Sequence, residues 1–307
     1  MRIGSEDYQV DFYSMADILK IMCKYTGEKT NNVDIDIAFQ IYVPFHFNLD
    51  LRSGGGDIKI VNMKGHFKGG IGGGDIVLNR LAGTVEMGTG GGNIYVHDSH
   101  LNGRVSTGGG RVEIKGNEGD LRGFSGGGPV VYENAGEPLR MKASGDDLFV
   151  DSAPQGAVLE TAGGDIVVKS ARKFVRAGTA GGNIQLDSVD GYIVASTASG
   201  SVQGTIVADA DTEADHHCEI GAIDGDVILK VPKDLPMTFD LRLAFTKGNA
   251  GRYTIHSDFP LQITSTNEWD YSSGAPRKYI YGTGSTGDGK NLIKIRVLDG
   301  NIYLRTR

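Results

Sequence analysis

The sequence predicts an all-β, single-stranded parallel β-solenoid (a β-helix) with 18-residue coils and irregular capping coils at both ends. Three observations predict this fold. A Gly-Asp-Ile type of motif recurs every 18 residues, apolar residues alternate with a period of two within each repeat, and glycine accounts for 47 of the 307 residues.

The repeat runs without insertion through nine anchors. In spatial terms each anchor marks the same point of successive coils, and only one anchor glycine is replaced, by aspartate. The anchors begin at Gly56, Gly74, Gly92, Gly110, Gly128, Asp146, Gly164, Gly182 and Gly200. Self-similarity at one fixed period is typical of solenoids.

Each repeat contains two short strands. When the anchor glycine is counted as position 1, apolar residues occupy positions 3 and 5, as in Ile76 and Leu78, and positions 12 and 14, as in Val85 and Met87. A period of two indicates strands with one buried face, whereas an α-helix needs a period of 3.6. A left-handed hexapeptide helix needs an apolar residue at every sixth position, and this sequence does not show that period. We expect right-handed coils, because strand twist favours right-handed crossovers.

Stacking of coils about 4.8 Å apart places identical positions in ladders. Position 18 carries glycine in most coils, from Gly73 to Gly181, which predicts left-handed backbone or a corner too crowded for a Cβ atom. Position 16 carries a hydroxyl in six coils, at Thr89, Thr107, Ser125, Thr161, Thr179 and Thr197.

We expect a single domain over residues 1–307, with capping strands over 1–55, regular coils over 56–208, and longer coils with a cap over 209–307. Residues 293–297 and 302–304 alternate apolar and polar side chains and are predicted to form the last coil. Residues 14–25 fit a helix and a strand equally well.

Composition excludes several classes of protein. Only 8 prolines and no Gly-X-Y period exclude collagen, and 39% hydrophobic residues in regular strings argue against disorder. A net charge of −7 argues against a nucleic-acid partner. Cys23 and Cys218 lie too far apart in sequence to suggest a disulfide framework or a paired zinc site, and we expect no cofactor.

No apolar run is long enough for a transmembrane helix, and the amino terminus lacks the apolar stretch of a signal peptide. The sequence therefore indicates either a cytoplasmic protein or one from which a leader has been removed.

The anchors, together with the Val43-Pro44 lead-in and the tail at Val231-Pro232, 257–261 and 298–302, carry a family resemblance. From about residue 33 to the carboxyl terminus the chain resembles the bacterial adhesin-type family of β-strand repeats, the domains of unknown function DUF4097 and DUF2807. The resemblance implies an extracytoplasmic or cell-surface protein without catalytic residues, and adhesion by analogy.

Two sequence motifs resemble catalytic or nucleotide-binding loops. Gly123-Phe124-Ser125-Gly126-Gly127 spells a nucleophile elbow, but Ser125 occupies the hydroxyl position of the repeat and no strand-turn-helix context follows. Residues 284–290 approach a phosphate-binding loop, but Asn291 stands where Ser or Thr is required and a predicted strand follows. Both motifs are interpreted as parts of turns.

Metal binding is considered at two places. Calcium β-rolls also use 18 residues per coil, and Asp57, Asp75 and Asp165 follow anchor glycines, but the other anchors do not supply a continuous carboxylate ladder. The acidic segment 209–219 breaks the period and contains the candidate zinc or nickel ligands Asp211, His216 and His217. A solvated acidic loop is the alternative.

Two outward columns are candidate binding surfaces. Position 13 carries a basic column, which is expected either to pair with acidic neighbours such as Glu113 and Glu133 or to bind a polyanion. The cations of this basic column are Lys68, Arg104, Arg122, Arg140 and Arg176. Position 4 carries an apolar stripe, suited to sugar stacking, to subunit packing, or to coverage by the carboxyl-terminal segment. The apolar stripe consists of Val77, Tyr95, Val131, Phe149 and Val167.

The sequence favours a non-enzymatic surface module that binds an acidic polysaccharide or a cell-surface protein through repeated contacts. One alternative is a polysaccharide lyase or hydrolase, which requires a compact acid and base cluster. Contact of Asp209, Asp211 or His216 with the basic column would support that enzyme. The other alternative is an envelope scaffold for protein partners. The ligand and the oligomeric state stay open.

Overall fold

A computed structural model describes residues 2–5, 8–15, 17–26, 37–133, 138–208, 214–272 and 274–307. The chain forms two compact units, Met1–Val43 and Pro44–Arg307. In the first unit, strands β1 (Arg2–Ser5), β2 (Tyr8–Met15) and β3 (Ile18–Tyr25) form an antiparallel sheet in the order β1-β2-β3. The sequence pattern at 14–25, which fits a helix or a strand, is therefore resolved in favour of a strand from Ile18 onward.

The second unit is a parallel β-solenoid, as the sequence predicts. The strands of its regular coils are β4 (Leu49–Ser53), β5 (Ile58–Ile71), β6 (Ile76–Thr89), β7 (Ile94–Thr107), β8 (Val112–Asn117), β9 (Leu121–Ser125), β10 (Val130–Glu133), β11 (Leu139–Ala143), β12 (Leu148–Ala153), β13 (Ala157–Thr161), β14 (Ile166–Thr179), β15 (Ile184–Thr197) and β16 (Val202–Ile206). Residue pairs such as Ile58 with Ile76 and Ile76 with Ile94 are in parallel register, which confirms the 18-residue coil.

Inward positions form the core of the solenoid. Ile76, Leu78, Ile94 and Val96 are completely buried, and the same positions are buried in most other coils. Because each coil presents one apolar face inward, only stacking of neighbours removes these side chains from water. The period-two pattern thus predicted the core. The two short strands predicted for each repeat are separate in only some coils, because β5, β6, β7, β14 and β15 each run through both halves of a coil as one 14-residue strand.

Polar ladders join successive coils beside the turn. At position 16, Thr107 Oγ1 donates to the carbonyl of Gly92 at 2.7 Å. At position 2, Asp165 Oδ1 accepts the backbone N–H of Asn183 at 2.6 Å. The same pattern recurs along the rod, so both ladders satisfy backbone groups of the corner, and the carboxylates expected in a calcium roll instead hold the next coil.

The glycine column at position 18 was predicted to be left-handed or crowded. None of its glycines is left-handed, and crowding within the column is confined to Gly163 and Gly181, where a Cβ would lie 3.2 and 3.4 Å from a carbonyl oxygen. Gly91 does not have left-handed backbone, and no atom of the described residues lies within 4 Å of the place a Cβ would take. Crowding occurs on either side of it. A Cβ at Gly90 would lie 2.2 Å from the carbonyl oxygen of Gly72, and one at Gly92 would lie 2.1 Å from that of Gly74. At this corner Gly90 and Gly92 stack on backbone carbonyls of the preceding coil, whereas Gly91 between them faces solvent.

The carboxyl-terminal part departs from sequential order. Its strands are β17 (Cys218–Ile223), β18 (Val227–Val231), β19 (Met237–Thr246), β20 (Ile255–Ser257), β21 (Gln262–Ser265), β22 (Arg277–Thr286), β23 (Asn291–Leu298) and β24 (Ile302–Thr306), with a 3₁₀ turn at Lys247–Asn249. Strands β23 and β24 pair with β17 and β18 on one side and with β19 and β20 on the other. The segment predicted as the last coil is therefore the penultimate layer, because spatial order differs from chain order here.

A hairpin-like insertion lies beyond this final layer. Strand β22 pairs antiparallel with β19 and with β21, which places β21 and β22 outside the regular coil pattern. This insertion separates Cys218 from its register partner Ile293 by 75 residues. No 18-residue period can predict such a pairing.

Candidate functional site

The basic column occupies a single register position in the second half of each coil. Lys68 lies opposite Glu86, Glu86 opposite Arg104, and Arg104 opposite Arg122 in parallel register. The pairing of β11 continues the column through Arg140 to Val158, and that of β13 continues it to Arg176. All five cations are exposed.

The stacked arginines Arg104 and Arg122 turn in opposite directions. Like charges directly opposite each other repel. The Arg104 guanidinium lies over the Phe124 ring, 5.7 Å from its centroid, while Arg122 Nη2 lies 3.5 Å from Asp120 Oδ2. The two side chains thus relieve the repulsion by leaning to different neighbours.

Lys68 and Arg176, two further members of the basic column, have different partners. Lys68 Nζ lies 3.5 Å from Glu86 Oε2. The Arg176 guanidinium lies 5.5 Å from the centroid of Tyr192 and its Nε donates to the Tyr192 hydroxyl at 3.2 Å. Arg104 and Arg176 therefore contact aromatic rings rather than carboxylates, so their positive charge stays available at the surface.

The expected pairing of the column with Glu113 and Glu133 is wrong. Both carboxylates lie on the first strand of the coil, where Lys115 Nζ contacts each of them at 3.2 Å and Arg111 Nη2 contacts Glu113 at 3.2 Å. Burial alone would raise the pKa of Glu113, but hydrogen bonds from Lys115 and His97 lower this pKa below its ordinary value. Glu113 and Glu133 thus lie on β8 and β10, whereas Arg122 and Arg140 lie on β9 and β11, a separation that the linear sequence does not show.

The apolar stripe at position 4 is interrupted. Val77 pairs with Tyr95 in register, Tyr95 with Glu113, and Val131 with Phe149, which in turn lies opposite Val167. Val131 is buried and the other four apolar side chains are half-buried. Glu113 divides the stripe into two short segments. The carboxyl-terminal strands pair with β17 and β18 at the solenoid end.

Of the candidate metal ligands, Asp211 lies outside the described residues, and the two histidines have separate surroundings. His216 is 1% exposed, and its Nε2 lies 3.1 Å from Asp190 Oδ1. His217 Nδ1 lies 2.7 Å from Asp215 Oδ2. The part of the chain that the structure describes contains no group of three His, Cys, Asp or Glu side chains suited to hold a metal ion.

A stack of rings joins this segment to the end of the basic column. Phe174 stacks on Tyr192 with centroids 5.4 Å apart, and Tyr192 stacks on His217 at 4.8 Å. Because Tyr192 also contacts Arg176, His217 lies one ring away from the last arginine of the column.

The structure shows one further cluster, which the sequence analysis missed. The Trp269 cluster consists of Phe245, Lys247, Trp269, Tyr271 and Lys278, which lie at the end of β19, on β22 and on the segment between these strands. Residues 245–281 contain seven of the 24 aromatic residues, including the single tryptophan of the chain. That enrichment inside a segment without the repeat was the signal available in the sequence.

Among the described helices none is long and apolar enough to cross a membrane. No protein-family model, no curated protein and no solved structure matches this chain. The chemistry of its own surfaces therefore carries the functional argument.

Proposed function

We propose that the chain is a non-enzymatic bacterial surface module, adhesin-like in the sense of the DUF4097 resemblance, that binds acidic polysaccharides through the basic column. The observation that carries this proposal is the register of the column. Arg104, Arg122 and Arg140 follow each other in consecutive coils, about 4.8 Å apart, with Arg176 two coils further.

The arrangement matches an extended polyanion better than a small ligand. The cations repeat along the solenoid axis on an exposed strand face. Arg104 and Arg176 contact aromatic rings, and among the described residues their guanidinium groups have no carboxylate partner. Each exposed charge contact contributes only about 0.2–1 kcal/mol, so useful affinity must come from many contacts made together. An extracytoplasmic location follows from this proposal.

Charge reversal of the column tests the proposal. In the variant Arg104→Glu/Arg140→Glu/Arg176→Glu, we expect binding to polygalacturonate to weaken at least about tenfold at low salt. The matched control reverses the exposed lysines Lys59, Lys230 and Lys233, which changes the net charge equally on other surfaces. Equal binding by both variants and the unmodified protein would contradict the proposal.

The same assay separates the alternatives. Asp190, whose Oδ1 lies 3.1 Å from His216 Nε2, lines a cavity of about 130 Å³ together with Arg172 and Ser188. His216 contacts Asp190 rather than the basic column. Shortening of the polysaccharide would favour the enzyme, whereas a mass that rises with protein concentration would favour the scaffold.

A further inference from the structure

Two lysines lie against the single tryptophan of the chain. Lys247 Nζ is 5.6 Å from the Trp269 ring centroid and 5.1 Å from that of Tyr271, and it donates to the Tyr271 hydroxyl at 3.0 Å. Lys278 Nζ is 5.1 Å from the Trp269 ring. Two ammonium groups thus lie around one indole.

The surrounding backbone holds these groups in place. Phe245 and Lys278 lie opposite each other in the β19–β22 pair, and the Phe245 ring meets Trp269 edge to face at 6.0 Å. Asp270 and Arg277 exchange two backbone hydrogen bonds of 2.8 and 2.9 Å. The segment that carries Trp269 is therefore anchored to the sheet, which lowers the cost of ordering it on binding.

Glu268 and Asp270 flank Trp269 in the sequence, but among the described residues neither forms an ion pair with the lysines of the Trp269 cluster. Within the described part of the chain, neither Lys247 nor Lys278 forms an ion pair with a carboxylate. The nearby Asp270 is instead engaged by Ser272 and by the Tyr279 hydroxyl. In a protein of net charge −7, this is a local cationic surface with an aromatic floor.

We propose that the Trp269 cluster binds one or two residues of an acidic sugar. The rings of Trp269 and Tyr271 contact the apolar face of a pyranose, and Tyr271 is 63% exposed and accessible to it. Lys247 and Lys278 contact its carboxylate or sulfate as flexible point charges. A bare anion would not contact the aromatic rings, and a neutral sugar would not form charged contacts with the two lysines. This site is independent of the basic column.

The single tryptophan makes the site directly observable. We expect trigalacturonate to change the emission of Trp269 saturably at low salt, while neutral maltotriose does not. Replacing Lys247→Gln or Lys278→Gln should weaken binding about fivefold each. Lys233→Gln removes an exposed lysine elsewhere and should leave the titration unchanged, and circular dichroism verifies that each variant is folded.

Three results would overturn the proposal. They are unchanged Trp269 emission with trigalacturonate, an equal response to maltotriose or to inorganic sulfate, and equal affinity in the Lys247→Gln/Lys278→Gln double variant. The column variant Arg104→Glu/Arg140→Glu/Arg176→Glu should titrate like the unmodified protein. Failure at Trp269 is therefore distinguishable from failure of the basic column.

Discussion

Replacing Ser125 by alanine removes a hydroxyl that joins two coils. Ser125 Oγ donates to the carbonyl of Gly110 at 2.7 Å and accepts the N–H of Gly128 at 2.8 Å, and the side chain is completely buried. In the alanine variant both backbone groups lose this partner, and each unsatisfied buried group costs about 1–3 kcal/mol. We therefore expect the free energy of unfolding to fall by about 2–6 kcal/mol.

Urea denaturation followed by circular dichroism measures this loss. Comparing midpoints is appropriate, because a repeat array can unfold in more than one step. Ser125→Thr is the matched control, since threonine makes the same bonds at Thr107 and Thr161, and it should lose much less stability than Ser125→Ala. An alanine variant as stable as the unmodified protein would refute the role given to the hydroxyl ladder.

Three further predictions follow from buried or paired groups. Asp165→Asn should keep the hydrogen bond to Asn183, whereas Asp165→Ala should lower the free energy of unfolding by about 1 kcal/mol. EDTA should leave the melting temperature of the unmodified protein unchanged, and a rise of that temperature with calcium would contradict this prediction. Thiol titration of the native protein should detect exposed Cys23 alone, since burial raises the pKa of the Cys218 thiol; two reactive thiols before denaturation would contradict it. Because the pKa of Glu113 is lowered, its contribution to stability is present above the ordinary value of 4.5 and is lost as the pH falls through the lowered pKa. Glu113→Gln should therefore make the free energy of unfolding depend less on pH in the acid range. The same pH dependence in the variant and the unmodified protein would contradict this prediction.

The fold could be predicted wherever the neighbours indicated by the sequence repeat and the neighbours in space agree. Coils from Ile58 to Ile206 stack in chain order, so an 18-residue period directly specifies which residues meet. The prediction failed where they differ. Strand β23 enters between β17 and β19, and a pairing of Cys218 with Ile293 leaves no periodic signal.

Side-chain neighbours were harder to predict than register. The sequence placed the arginines of the basic column correctly in one register, but it assigned Glu113 to them, although this carboxylate lies on the other strand with Lys115. It also could not show that Gly90 and Gly92, rather than Gly91, stack on carbonyls. The Trp269 cluster depends on the antiparallel β19–β22 pair, which has no counterpart in the repeat.

Binding of the purified protein to neutral and acidic polysaccharides, at low and at high salt, tests directly whether the protein is a non-enzymatic module that binds acidic polymers. We expect the protein to bind the acidic polymers alone and not to shorten the polymer chains. Binding should be lost at high salt, because exposed charges are then screened. Equal binding to neutral polymers, cleavage of any polymer, or no binding to the acidic ones would contradict it.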